Sequence, residues 1–587
     1  MPTLLRGASL RAWLLLGLVP LLLGGCTETV VQDREPFNPP PDATNKFLGL
    51  FTTADTLTTC GNCHVEHQKD WLQTAHAAAF GLPATSPDYL PACNTCHTLS
   101  DKGNATAYPA GWDAVNDTVY HGVQCENCHG PGLDHVSAPD APKSASNPPL
   151  AHIGVLGPDN RAEPGDPVSV DSASVGQSCG ACHNQNSGPG VRAFEEWAAS
   201  GHAVQVLEVG GASPADNPSC VSCHEGKGVL AAWGVTANYA EKGQTGHTNQ
   251  LAQTCAVCHD PHGTAQDPAT GKPFEGQLRF SLSAADVSQN LCMKCHQRRS
   301  VPDQASSRGP HSPQGPMLLG DAGYQNPTYL QVDLVAVATT HGSEKNPRLC
   351  AGCHVNRLTG TDVTTGKPAT SAGHLFLPTP CLDAGGLPDL VNQDCPDDEA
   401  SRSWQACTAS GCHGSASVAV SLFALSSTRI EQLVEPIWFD KNANDAIDPD
   451  STACSNLNKV TPGVVVCPDT LNPAKWDGGM LARTDLIPTT GVNNQYTTND
   501  NNITAAEGAR FNVRILREGG ADGSSGVHNP ILAEALLRAN IEELGDVYFG
   551  GTPPLPVSVQ SIMNGPLGLV TKRPAAQWLR TRSISSR

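Results

Sequence analysis

Aromatic side chains make up only 5% of this 587-residue sequence, as 9 Trp, 8 Tyr and 12 Phe. So few leave a long chain short of its usual large core formers. Basic residues are also scarce: 36 Lys and Arg face 56 Asp and Glu, a net charge of −20. That balance excludes the basic, phosphate-facing surface of a nucleic-acid binder. The apolar run from Trp13 to Leu23 is too short to span a bilayer. No Walker loop, G-x-S-x-G, H-E-x-x-H or C-x-x-C-K occurs, and methionine is limited to 5 residues. Gly and Pro, 57 and 47 residues, are about 18% of the chain. This is loop-rich, yet below the level of a disordered sequence.

The N-terminus carries Arg6 and Arg11 before the short apolar run, the pattern of a secretory leader. It closes on Leu23-Gly24-Gly25-Cys26, which resembles the cleavage box of bacterial lipoproteins. In that family Cys26 becomes the lipid-bearing first residue; the alternative is an ordinary leader with a chance cysteine. Several acyl chains, at about 0.8 kcal/mol per buried methylene, anchor a protein firmly. Thr27 in place of Asp favours the outer membrane by the habit of that family. The expected layout is a leader over 1–25, a Pro-rich tether over 26–46, and an exported, lipid-anchored protein on the periplasmic or cell-surface side.

Cysteine is what the sequence has in a pattern. C-x-x-C-H occurs eight times, at Cys60, Cys63 and His64; Cys93, Cys96 and His97; Cys125, Cys128 and His129; Cys179, Cys182 and His183; Cys220, Cys223 and His224; Cys255, Cys258 and His259; Cys292, Cys295 and His296; and Cys350, Cys353 and His354. A ninth copy, CTASGCH, has four residues between Cys407 and Cys412 before His413. The pattern reads as covalent attachment of c-type haem. Two thioether bonds to one porphyrin edge need sulfurs about one turn apart, and the next histidine is thereby aimed at iron. Zinc would not require histidine after every second cysteine, and a thioredoxin-like dithiol would not repeat. Of 23 cysteines, Cys26 and these eighteen leave Cys381, Cys395, Cys454 and Cys467. An even remainder suits disulfides in an oxidising compartment, with the local pairs 381–395 and 454–467 favoured among three connectivities.

Nine covalent macrocycles would replace aromatic side chains as the interior. The expected fold is therefore mainly irregular with short α-helices, a covalent multihaem array as its core, and little β-structure. About 350 residues from Cys60 to His413 would wrap the array. That is too few for a separate domain around each haem, so the haems must lie close together.

Histidine sets the ligation. Of 21 histidines, nine close the motifs and twelve remain for nine distal positions, whereas Met317, Met480 and Met563 are the only methionines left to compete. This supply favours two histidines on every iron, a closed and low-potential arrangement.

Residues 60–413 resemble the multihaem cytochromes c of dissimilatory metal-reducing and nitrogen-cycle bacteria. The resemblance rests on W-x-x-x-x-H-A (Trp71 to His76, Trp197 to His202), on C-H-G-P-G-x-x-H ending at His135, on CAVCHDPHG with His262, and on GPHSPQGPMLLG with His311. His247 and His341 precede attachment motifs by eight or nine residues, and His374 lies in AGHLF. G-V-H-N-P supplies His528, with Asn529 as a cap and Pro530 in the first turn of a helix. These nine are the implied distal ligands. His67, His121 and His152 are spare, although His121 or His152 could displace a weaker choice. If residues 67–76 form one helix, His76 lies opposite His67 and serves a different haem.

The multihaem domain is expected over 47–419, and residues 420–587, without attachment motifs, would fold back to deliver His528. One stretch there, FDKNANDAIDPDS, resembles a calcium loop with Asp440, Asn442, Asn444 and Asp448 as ligands. Asp445 replaces its sixth-position glycine and Ser451 its acidic twelfth ligand; an acidic Asx-turn is the other reading. The resemblance implies an electron-transfer protein serving extracellular or anaerobic respiration, between redox-partner cytochromes, a porin complex and an external acceptor. Two alternatives are a reductase of nitrogen or sulfur oxyanions with one open haem, and a subunit of a polymerising cytochrome filament.

Overall fold

The structure is a computed structural model and describes residues 39–50, 59–81, 85–87, 89–100, 109–138, 179–186, 190–203, 219–235, 252–306, 308–330, 332, 341–409, 412–438, 479–483, 502–552 and 555–567. The described chain is helical and irregular, with two small antiparallel sheets. Up to residue 409 its helices are short, among them α1 (Val65–Trp71), α2 (Ala193–Ala199) and α3 (Gln314–Leu319). Longer helices follow: α4 (Ala416–Val434), α5 (Ala505–Leu516), α6 (Pro530–Leu544) and α7 (Val557–Asn564).

The two halves are held together differently. Helices α4 to α7 share the one large apolar core, in which Phe511, Val513, Ile515, Leu532, Leu536, Leu537 and Ile541 are fully buried. Burial of such side chains, at about 1.5–3 kcal/mol each, suffices for a conventional bundle. Each long helix is started by its sequence. Ser415 caps α4, Thr504 and Glu507 form a reciprocal capping box on α5, and Asn529 accepts from Leu532 N ahead of Pro530 in α6. The buried Glu534 of α6 is paired with Arg429 of α4 at 2.7 Å and with Arg538 one turn on. Among the described residues, the cysteine-rich half has only small apolar clusters, such as Phe194, Trp197, Ala203 and Ala252.

Helix α4 starts at Ala416, and Met317, Ala322 and Leu330 belong to the C-terminal core. Hydrophobic contact, rather than the end of the motifs, decides which segments pack together. Met480 is fully buried in the same core.

Two hairpins repeat one sequence device. Asp267-x-x-Thr270-Gly271-Lys272-Pro273 joins β1 (Gln266–Asp267) to β2 (Lys272–Pro273). Asp362-x-x-Thr365-Gly366-Lys367-Pro368 joins β3 (Thr359–Thr361) to β4 (Pro368–Thr370). In both, the Asp carboxylate accepts from the Thr hydroxyl, and the glycine, at φ +63° and +68°, takes the left-handed conformation the turn needs. Each hairpin follows a C-A-x-C-H motif and turns the chain back towards it.

The halves meet at Tyr324. Asn512 of α5 accepts from Tyr324 N at 2.6 Å, donates to Tyr324 O at 3.0 Å and donates to Asn540 of α6 at 2.9 Å. Gly508 lies under the tyrosine ring, where a Cβ would come within 2.2 Å of it. Replacing Asn512 by Ala strands a buried N–H and a carbonyl. The Asn512→Ala protein is expected to lose about 2–4 kcal/mol of stability in guanidinium unfolding; a loss under 0.5 kcal/mol would refute this docking role.

Candidate functional site

Each attachment motif folds as a single turn. The backbone N–H of the motif histidine returns to the carbonyl of its first cysteine: His64 to Cys60 and His183 to Cys179 at 2.9 Å, His224 to Cys220 at 3.0 Å, His259 to Cys255 at 2.8 Å and His296 to Cys292 at 3.1 Å. The longer ninth motif closes the same way, with His413 N at 3.2 Å from Cys407 O.

The motif histidines face the other histidines in pairs. Ring centres are 6.3 Å apart for His64 and His135, 6.2 Å for His129 and His262, and 6.2 Å for His183 and His76. They are 5.9 Å apart for His224 and His311, 6.1 Å for His259 and His374, and 6.3 Å for His296 and His202. His354 faces His528 at 6.1 Å, and His413 faces His341 at 6.0 Å. Van der Waals stacking would bring such rings closer. Two imidazoles bound through one nitrogen each to a shared ion, with metal–nitrogen bonds of about 2.0 Å, have ring centres roughly 6.3 Å apart.

The other ring nitrogen is engaged. Nδ1 of His97 lies 2.7 Å from Ala79 O, that of His259 2.6 Å from Gly276 O, and that of His354 2.8 Å from Phe376 O. Nδ1 of His341 contacts Val527 O at 2.5 Å, that of His296 the Gln314 side-chain oxygen at 3.3 Å, and that of His528 Asp522 at 2.7 Å. A carbonyl only accepts, so Nδ1 carries the proton and Nε2 keeps a free lone pair. This is the outer-shell arrangement of metal-bound histidine. Gly276 and Phe376 follow the two hairpins, which explains what those turns achieve.

The motifs also touch one another. Sulfur-to-sulfur contacts join Cys60 to Cys125, Cys96 to Cys182, Cys179 to Cys255, Cys223 to Cys295 and Cys292 to Cys350. Cys353 lies in the field of Cys407 and Cys412. A continuous cavity of about 3510 Å³ runs between eight of the motifs. An ordinary small-molecule pocket holds about 300–1,000 Å³.

These residues fit an attached bis-histidine haem. Each pair would hold a planar metal group by its two imidazoles, with the motif cysteines next to one of them in the chain, and the cavity has room for planar groups.

The W-x-x-x-x-H-A segments share a stop signal. Thr74 and Ser200 each donate their hydroxyl to the Trp carbonyl three residues earlier, at 2.7 Å, and each backbone N–H at that position goes to the same oxygen at 2.9 Å. Helices α1 and α2 end there, and His76 and His202 project from the following turn. The expectation of one helix over 67–76 is thereby corrected: α1 stops at Trp71. His76 nevertheless faces His183 of another motif.

His67 lies 6.2 Å from His64 and 5.3 Å from His262, so it neighbours one member of each of two pairs. His121 is stacked on Phe80 at 3.4 Å and packed against Trp112 at 5.0 Å, so it serves as an aromatic core residue. Glu196, fully buried, accepts from Ala372 N and His374 N and fixes the segment carrying His374. The disulfide Cys381–Cys395 is formed, with a Cα separation of 6.1 Å. Cys26, His152, His247, Cys454, Cys467 and the calcium-loop residues Asp440, Asn442, Asn444 and Asp448 lie outside the described residues.

Compared with protein-family models, curated proteins and solved structures, the chain matches none.

Burial, with smaller contributions from neighbouring imidazoles, holds His76, His202 and His374 down at about 4. Burial and then Arg299 do the same for His311. Between pH 4 and the ordinary value of 6.5 the unfolded chain binds more protons at these four positions. Their contribution is therefore full above 6.5 and is lost as pH falls towards 4. The guanidinium midpoint is expected to fall steadily from pH 6.5 to 4.5; a flat profile would show that these imidazoles are not held neutral.

Proposed function

We propose that the chain is a nine-haem c-type cytochrome that relays electrons at the outer membrane to an external acceptor or redox partner. The observation that carries this reading is the set of eight imidazole pairs at 5.9–6.3 Å, each containing one motif histidine. Eighteen motif cysteines would hold the haems by thioether bonds. The paired histidines would fill both axial positions, with His97 and His247 completing the ninth site. Each bound haem would supply a one-electron Fe(III)/Fe(II) couple.

The chain's own part is spacing, closure and tuning. Contacting motif cysteines keep neighbouring haems within electron-transfer reach. Two histidines on each axis leave no position for a substrate. Carbonyl acceptors on Nδ1 of His97, His259, His341 and His354 fix the orientation of those rings and raise their basicity. A lipid on Cys26 would keep the array at the membrane, where partner cytochromes or a porin complex can dock. A calcium ion held by Asp440, Asn442, Asn444 and Asp448 would be a local structural addition.

Low-temperature EPR of the oxidised protein, with carbon monoxide added to the reduced protein, tests this. Low-spin signals throughout and no carbon monoxide adduct are expected. The His135→Ala protein should convert one haem in nine to a high-spin, carbon monoxide-binding form and leave the rest unchanged. An open iron in the unmodified protein would instead favour oxyanion reduction. An unaltered His135→Ala spectrum would overturn the pairing with His64.

A further inference from the structure

The eight-residue loop 521–528 does more than deliver one histidine. Ala521 O accepts from the amide of Gln314, whose oxygen contacts His296 Nδ1. Val527 O accepts from His341 Nδ1. His528 itself faces His354. One loop, anchored between α5 and α6, thus reaches three imidazole pairs.

Within it, His528 differs from the other histidines whose Nδ1 contacts are described above. Those donate to neutral carbonyl or amide oxygens; His528 donates to the carboxylate of Asp522 at 2.7 Å. The Asp522 side chain is only 1% exposed, so water screens this charge weakly. Its position is tightly built. Asp522 N and Ala521 N bond to Ile515 O and Arg514 O at the end of α5. Gly523, Ser525 and Gly526 all have positive φ, and a Cβ on Gly526 would press on Ile430 and Ala533. The Ser524 hydroxyl donates to the second carboxylate oxygen and accepts from His528 N at 3.2 Å.

We propose that Asp522 is a positioning residue that gives His528 partial imidazolate character and thereby sets a low reduction potential for the haem held between His354 and His528. The inference rests on the haem reading above. A buried carboxylate on Nδ1 pulls that proton away from the ring and raises electron density at Nε2. A more electron-rich axial ligand stabilises the oxidised metal. Ser524 moderates the effect, because its hydroxyl takes up part of the carboxylate charge. The haem's neighbours through the Cys292–Cys350 contact and the Cys353–Cys407 approach would then sit on either side of a low-potential step.

Spectroelectrochemical titration of the full haem-loaded protein tests this with two variants of opposite expected sign. Asp522→Asn keeps an acceptor for Nδ1 but removes the charge. It should shift the oxidised-to-reduced equilibrium of one haem at least tenfold towards reduction, at 59 mV per tenfold for one electron, and leave the other eight in place. Ser524→Ala should shift the same haem the other way. Haem count and EPR are recorded on each sample. Unchanged potentials with nine bis-histidine haems retained would overturn the inference and leave the proposed function standing. If Asp522→Asn instead opens the iron to carbon monoxide, Ser524→Ala decides: a downward shift supports the inference and none overturns it. An unmodified protein without covalent haem at Cys350 and Cys353 would overturn both.

Discussion

The arrangement depends on the axis between two imidazoles. A motif of five residues can present only one histidine at a fixed angle, so the opposite histidine must come from elsewhere in the chain. With an iron shared between its rings, each pair at about 6 Å would also be a long-range crosslink. His64 would be tied to the helix carrying His135, and His354 to the far C-terminal half through His528. A chain rich in Gly and Pro and poor in aromatics needs such ties, because loop closure carries an entropic cost that its small apolar clusters cannot offset. In the proposed reading, ligand bonds and planar groups supply what hydrophobic packing supplies in the C-terminal helices.

The two halves are thus complementary. Helices α4 to α6 bury a conventional core and are capped by ordinary means, which makes them a rigid base. Their contribution to the candidate site is the loop 521–528, held at both ends by helix termini. The cysteine-rich half meets that base at Tyr324, where Asn512 treats one residue of the other half much as a neighbouring strand would.

Much of the candidate site was legible in the sequence because its chemistry is local. The C-x-x-C-H turn follows from five residues, and the CTASGCH variant keeps its closing hydrogen bond despite its longer loop. The context of His76, His135, His202, His262, His311, His341, His374 and His528 singled out the histidines that face motif partners in the fold. Asn529 and Pro530 announced α6. Less legible were features that depend on competition or on tertiary contact. Hydroxyls at Thr74 and Ser200 end helices that propensity would continue, a competition between side chain and backbone that residue type alone does not decide. The repeated D-x-x-T-G-K-P turns were also present, yet their purpose, returning a carbonyl to His259 and His354, emerges only in three dimensions. No local pattern pairs Asp522 with His528, because a six-residue separation bridged by three left-handed residues has no helical or strand period. The place of Met317 in the C-terminal core likewise follows from packing.

The central claim is that the nine motifs carry covalent haem, and intact-protein mass spectrometry under denaturing conditions tests it most directly. Axial ligands dissociate under those conditions while thioether bonds persist. The account predicts a mass higher than the mature polypeptide by nine haems, one for each motif including CTASGCH at 407–413. A mass equal to the polypeptide alone would contradict it.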